Sequence, residues 1–257
     1  MGKKIHQTAV VSPEAKIGDN VEIGPYSVIG DDVEIGDGTK LYPHVVIDGI
    51  TKIGKCCFLF PGACVGLGNQ DLKYKGEKTI VEIGDNTTLR ECVTVHSAVG
   101  ENHKTVVGSR CFLMAYAHIG HNSLIGDDVV IANSAAIAGH VTIEDFVIIG
   151  GIVAIHQFCV IGQSSIIGGC SKVVQDVLPY SLADGHPSKL YGLNLIGLKR
   201  RGFKPENILE LKKAVRIIKT TINLKKIVEK INSECKPVEE VKKLLKAIEA
   251  SERGFCR

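Results

Sequence analysis

Two histidines three residues apart, His118 and His121, stand in the stretch "AHIGHNSLIG". Further along come His140 and then the pair His156 and Gln157, with His96 upstream. Imidazole is the side chain whose ordinary titration falls near neutrality, so such a group can serve as a general base, a hydrogen-bond donor or a metal ligand. Which of these applies depends on the elements that carry the residues.

Those elements show as an internal repeat. Steps of six from Ile5 to Val173 visit 29 positions, and all are aliphatic except Asp71, Glu77 and Glu101, which leaves 26. The next residue is often Gly, and the fifth position is small or β-branched almost throughout. A period of six matches neither the two of a strand nor the 3.6 of a helix. It suits a solenoid in which each short strand buries one large and one small residue, Gly allows the bend, and three strands close a coil of 18. Ile5 to about Pro179 then forms nine to ten coils of a parallel β-helix. Two segments break the pattern, "LGNQDLKYKGEKTIVE" (67–82) and "SAVGENHKTV" (97–106), and are expected to leave the prism as loops, where function concentrates.

Residues 18 apart should stack at about 4.8 Å, the spacing of neighbouring strands. In that register Gly139 lies on His121 and His140 on Asn122. His118 occupies the corner leading into this face, with His96 on the preceding face. Imidazoles on a flat sheet beside a Gly that exposes backbone N–H suit proton transfer coupled to oxyanion binding. A histidine zinc centre is the rival chemistry. A non-catalytic β-helix scaffold would account for neither the cluster nor the loops.

After Pro179 the period stops. "PYSLADGHPSKLYG" reads as an irregular connector, and from Leu193 the chain turns helical, with Pro205 and Pro237 suited to first helical positions. The expected division is 1–185 for the β-helix and 186–257 for a small helical domain. Charge divides in the same way: residues 1–188 hold 13 basic and 20 acidic side chains, residues 189–257 hold 18 and 8, giving −7 and +10 and the overall +3. No apolar run reaches the roughly 18 to 20 residues of a membrane span, and the N-terminus lacks a signal-peptide core, so stable membrane insertion is not expected and the location expected is cytoplasmic. The nine cysteines contain no CxxC pair, which argues against a disulfide framework; Cys57, Cys111 and Cys159 fall at small buried positions.

The repeat resembles the hexapeptide-repeat proteins, whose left-handed β-helix supplies the expected hand. The stretches "NQDLKY" (69–74), "IGDNTTLRECVTVH" (83–96), "AHIGH" (117–121), "AGHVTIEDFVIIGG" (138–151), "HQFCVIG" (156–162), "GGCSKVVQDVLPY" (168–180) and "GLKRRGF" (197–203) resemble the UDP-N-acetylglucosamine acyltransferases of lipid A synthesis. The resemblance implies transfer of an (R)-3-hydroxyacyl group from acyl carrier protein to the 3-hydroxyl of UDP-N-acetylglucosamine. It implies a homotrimer, and neither a cofactor, a metal nor a nucleic-acid partner. By the same resemblance His121 is the base and the Gly139 N–H the oxyanion donor. Sugar contacts map to Asp71, Lys73, His118 and His140, nucleotide contacts to His156, Gln157, Asn194, Arg200 and Arg201, and the floor of the acyl groove to Gly169. The tail lysines suit an acidic carrier protein. An acceptor amine on a UDP-diamino sugar is the alternative within the same chemistry. Against the zinc centre, the histidine spacing of hexapeptide-type carbonic anhydrases and their acidic shuttle are missing. Three departures stand out: Asn122 where many relatives have Asp, Ile196 where an acidic residue is common, and "HSA" without a basic residue after His96. His140, stacked on Asn122, is expected to share the orienting of His121.

Overall fold

The computed structural model describes residues 2–72 and 74–257. The chain is a left-handed parallel β-helix followed by helices. Three long sheets run along the prism, with 11, 9 and 8 strands, and every pairing within the prism is parallel. From Ile23 on, the large aliphatics of the repeat point inward, and Leu59, Leu89, Leu113, Ile131 and Ile149 form one fully buried column. The small fifth positions, such as Ala63, Val93, Ala117 and Ala135, interleave with them in the same core. Burial of that apolar surface, at roughly 25 cal/mol per Å², is what holds such short strands together.

Where the repeat is unbroken, the register is that of three hexads to a coil, as in His118 facing Ala136 and Ala136 facing Ala154. It widens at the two loops. Phe58 faces Thr88 across the first of them, and Thr94 faces His118 across the second, each a longer step than one regular coil. The strands Ile80–Ile83 and Lys104–Val107 close the loops by returning to the third sheet.

With the exception of Gly66 (φ 82°), the glycines after the aliphatic positions do not make the bends, contrary to expectation. At Gly18, Gly24, Gly36 and Gly120 the backbone is ordinary, but an added Cβ would come within 2.6 to 2.8 Å of the next coil. They are there for close approach. The bends fall just beyond them, at corner residues in the left-handed region such as Tyr116 (φ 63°), Asn122 (59°), His140 (58°), Ile152 (58°) and Phe158 (67°). A side chain in that conformation costs about 1–2 kcal/mol, which the core burial on either side must outweigh.

The stretch after Pro179 is not an irregular connector. Ser181–Gly185 adds to the first sheet beside Ile166–Ile167, and Ser188–Leu193 reverses against it as a hairpin. The period of six vanishes there because a hairpin strand needs only alternation. Helices α1 (Leu195–Arg200), α2 (Pro205–Thr220), α3 (Leu224–Glu234) and α4 (Glu239–Ala250) follow. Pro205 opens α2 as expected, but Pro237 lies ahead of α4, whose N-cap is Val238. The helices share a second core of Leu198, Leu211, Ile218, Ile227, Leu244 and Ile248, joined by Leu178 and Tyr180 from the prism end. No helix among the described residues is long and apolar enough to cross a membrane.

Candidate active site

His121 follows the strand His118–Ile119 and is partly buried on the corner between the second and third sheets. Its Nδ1 lies 2.9 Å from Asn122 Oδ1, and its Nε2 lies 3.9 Å from Asp71 Oδ2, in the first loop. The first loop therefore reaches His121, and the second reaches the adjoining Asn122, where Val99 N–H donates to Oδ1 at 2.9 Å and the Val99 carbonyl accepts from Nδ2 at 3.0 Å. They are tied together where Asn69 Nδ2 donates to the Ala98 carbonyl at 2.8 Å.

Gly139 faces the His121 ring so closely that a Cβ would lie 2.4 Å from Nε2 and 2.5 Å from Cε1. No side chain other than hydrogen fits between them. Among the described residues the Gly139 N–H has no protein acceptor, so a donor stands open beside the ring.

His140 meets His121 edge-on, with ring centroids 5.1 Å apart at 89°, and stacks on Phe158 at 4.7 Å and 17°. Its backbone N–H donates to the His121 carbonyl at 2.9 Å, which sets it one coil on from Asn122. Its ring faces the following coil, where Phe158 is the next corner residue. The one-coil spacing from His140 to Phe158 is visible in the sequence, but a Phe there suggests core; Phe158 is instead 51% exposed.

His96 also departs from expectation. The loop after it lengthens the coil, which brings Thr94 opposite His118 and sets the His96 ring edge-on to His118 at 5.0 Å. It belongs to the cluster rather than to the preceding face. Thr94 Oγ1 lies 2.8 Å from His118 Nδ1, a partner that only the true register reveals.

Burial pushes the His118 imidazole down to about 4, and the nearby His96 and His121 push the same way. His96 is lowered by burial and by His121. Burial lowers His140 too, with His121 and His103 adding to it and Asp71 opposing. His96, His118 and His140 are thus favoured as neutral rings, which accept and donate single hydrogen bonds. For His118 the unfolded chain, titrating near 6.5, binds more protons than the folded one between pH 6.5 and about 4. Stability is accordingly expected to fall as the pH drops through that window and to level off below it. Denaturant melts across pH 7 to 4 check this, and His118→Asn should make the fall shallower.

The other expected site residues divide into two groups. His156 and Gln157 are exposed on the same corner as His121, two coils on, with His156 Nδ1 3.1 Å from the Gln157 carbonyl and 3.4 Å from Arg253 Nη2. Arg253 comes from the C-terminal tail, whose Phe255 is buried, and no feature of the sequence marked it. Asn194, Arg200 and Arg201 are elsewhere, at the corner between the third and first sheets. Asn194 is 6% exposed, caps α1 through Gly197 N at 3.0 Å and donates to the Ser164 carbonyl at 3.0 Å. Arg201 lies over the Phe146 ring at 4.5 Å, donates to the Phe146 carbonyl and to Ser164 Oγ, and has its pKa lowered by burial. Arg200 is exposed. Within one chain these three are not brought to His121.

Gly169 is exposed at the corner after the first sheet, where a Cβ would meet only the Gly151 carbonyl, at 3.4 Å, and the Gly151 nitrogen, at 3.9 Å. Lys73 lies outside the described residues. Among the described residues no three His, Cys, Asp or Glu side chains converge in a way that could hold a metal ion.

The chain is similar to known proteins along its whole length. The family profile described as UDP-N-acetylglucosamine O-acyltransferase, domain 2, matches residues 176–256, and the bacterial transferase hexapeptide profile matches residues 14–49 and 104–139. The chain is 52% identical over 256 residues, 99% of each chain, to an acyl-[acyl-carrier-protein]–UDP-N-acetylglucosamine O-acyltransferase of Thermodesulfovibrio yellowstonii. It is 45% identical to the protein of that name from Syntrophobacter fumaroxidans, over 99% of this chain and 100% of that one. Among solved structures, the UDP-N-acetylglucosamine acyltransferase of Bacteroides fragilis superposes with a TM-score of 0.96 at 39% identity, covering 98% of this chain and 99% of the other. With half of its residues shared along its whole length and the fold superposing from end to end, the chain belongs to the UDP-N-acetylglucosamine O-acyltransferase family.

Proposed function

We propose that the protein transfers an (R)-3-hydroxyacyl group from acyl carrier protein to the 3-hydroxyl of UDP-N-acetylglucosamine, the first step of lipid A biosynthesis. The observation that carries the reading is His121 Nε2 standing beside the open N–H of Gly139, with Nδ1 held by Asn122. His121 Nε2 takes the proton of the sugar 3-hydroxyl as its oxygen bonds to the thioester carbonyl carbon. The carbonyl oxygen becomes an oxyanion and accepts from Gly139 N–H. When the carbon–sulfur bond breaks, the carrier thiolate leaves and regains the proton from the His121 imidazolium, which returns the base to its starting state.

In this reading Asp71, Lys73, His118 and His140 contact the sugar, and His156 and Gln157 the nucleotide. Asn194, Arg200 and Arg201 act from a neighbouring subunit of a homotrimer, a role supported by their position on a different corner of the prism. The basic C-terminal part, residues 186–257 with its four helices, steers an acidic carrier protein, and the β-helix of 1–185 carries the chemistry. A carrier-bound donor and a nucleotide sugar suit a cytoplasmic enzyme with no resident cofactor.

The test is to supply the purified protein with (R)-3-hydroxyacyl carrier protein and either UDP-N-acetylglucosamine or its 3-amino analogue. A higher kcat/KM for the hydroxyl substrate is expected; preference for the amine would move the reading to the diamino-sugar reaction. Because Gly169 leaves room for a side chain, Gly169→Met should fold and shift the preferred donor to shorter acyl chains, read from a series of donors.

A further inference from the structure

The C-terminal tail is tied to the end of the prism. Asp176 N–H donates to the Gly254 carbonyl at 3.0 Å and Cys256 N–H donates to the Asp176 carbonyl at 2.9 Å, a short parallel bridge. Phe255 is buried in the helical core and Cys256 in the prism core. The Asp176 carboxylate fastens the same join, accepting from Val160 N–H at 2.8 Å and from Ser251 Oγ at 2.7 Å. Arg253, between Ser251 and Gly254, is therefore carried on a backbone fixed at both ends.

Its side chain is far less committed. Arg253 is exposed, and its Nη2 lies 3.4 Å from His156 Nδ1. That nitrogen is nearer the Gln157 carbonyl, at 3.1 Å, and a hydrogen placed there for the carbonyl leaves no lone pair for a guanidinium, which only donates. The Cys159 thiol, its other partner, is a weak acceptor. Among the described residues no carboxylate pairs with Arg253, whereas Arg90 is taken by Glu91 and Arg110 by Asp127 and Asp128. A planar fork of charged donors thus stands open on a rigid mount, on the corner that carries His121.

Phosphate suits such a fork, because its oxygens accept two parallel charge-assisted hydrogen bonds. We propose that Arg253 is a phosphate-binding residue of the acceptor site, delivered by the C-terminal strap to grip the diphosphate of the nucleotide sugar from the subunit that supplies His121. Spacing along the prism supports this. His156 and Gln157 lie two coils beyond His121, about 10 Å at roughly 4.8 Å per coil. A pyranose ring, from its 3-oxygen to its anomeric oxygen, covers about one coil, and a diphosphate covers about another. With the 3-hydroxyl at His121, the phosphates arrive beside His156 and Arg253. The phosphopantetheine arm of the donor also carries a phosphate, but its extended chain from sulfur to phosphorus is much longer than this interval.

The proposal rests on the acyl-transfer reading, and binding measured without donor separates the two. In ligand-observed NMR titrations of the full-length protein, Arg253→Ala should bind UDP roughly 10- to 100-fold more weakly, the loss expected for hydrogen bonds to a charged group, and bind uridine as the parent does. In turnover, KM for UDP-N-acetylglucosamine should rise by a similar factor, with kcat and the KM for acyl carrier protein near parent values. Arg253→Lys keeps the charge without the fork and should fall between the two. Equal weakening of UDP and uridine would mark a structural role for the residue and overturn the proposal. A rise confined to the KM for acyl carrier protein would assign Arg253 to the phosphopantetheine phosphate and overturn it as well. Parent-like UDP binding by Arg253→Ala, in a protein that transfers acyl groups, overturns this proposal alone; a parent protein that binds no UDP overturns the acyl-transfer reading with it.

Discussion

Replacing His121 by alanine is expected to leave a folded β-helix that has lost acyl transfer, with kcat lower by about 10²- to 10⁴-fold, the range a positioned general base contributes. Folding survives because the ring stands at a corner and is no part of the buried prism core. Circular dichroism and size-exclusion chromatography check the fold, and a carrier-thiol release assay checks the rate. A variant with the parent rate would remove His121 from the role of base and direct attention to His140, whose ring meets it edge-on.

Gly139→Ala should be nearly as damaging, through one methyl group. The new Cβ would stand 2.4 Å from His121 Nε2, a separation that no relaxed structure permits, so the ring has to swing away. Swinging it breaks the 2.9 Å contact with Asn122 and moves the base relative to the oxyanion donor. Displacements near 1 Å at a reacting centre cost on the order of 10²-fold in rate. We expect a loss of about that size or more in kcat, with melting temperature little changed because the corner faces outward. Gly169→Ala provides the contrast, since its Cβ meets nothing nearer than 3.4 Å: the base keeps its place, so kcat with the best donor should be retained and any change should fall on donor chain length. Measuring the pair side by side separates crowding of the base from any general intolerance of methyl groups at the corners.

The prism is legible in the sequence because a period of six leaves a large aliphatic at every step, and the buried columns are those positions. The pairing of His121 with Gly139 is legible because equivalent points recur after every three hexads where the coil is unbroken. His96 is misplaced by the same rule for the opposite reason: its coil contains a loop, and a sequence period cannot say how much chain a loop removes from the register. The hairpin after Pro179 escapes notice because alternation over so short a strand is a weak signal beside a strong repeat. The role of the glycines is misread because a sequence does not distinguish a residue chosen for its torsion from one chosen for its lack of volume. Nor can the hydrogen bonds between the Val99 main chain and the Asn122 amide be foreseen, since main-chain atoms carry no letter of their own.

The alternation of inward and outward residues along each short strand bears on how this enzyme could change over time. In most enzymes, residues that react also help to hold the fold, so a new specificity costs stability. Here the inward positions hold the prism together, while His121, His140, Phe158 and Gly169 occupy corners outside that core. The two sets are almost disjoint. Substrate preference can thus be rewritten along the outer rail, one coil at a time, while the inner column stays constant, and selection on chemistry and selection on folding act on different letters of the same repeat.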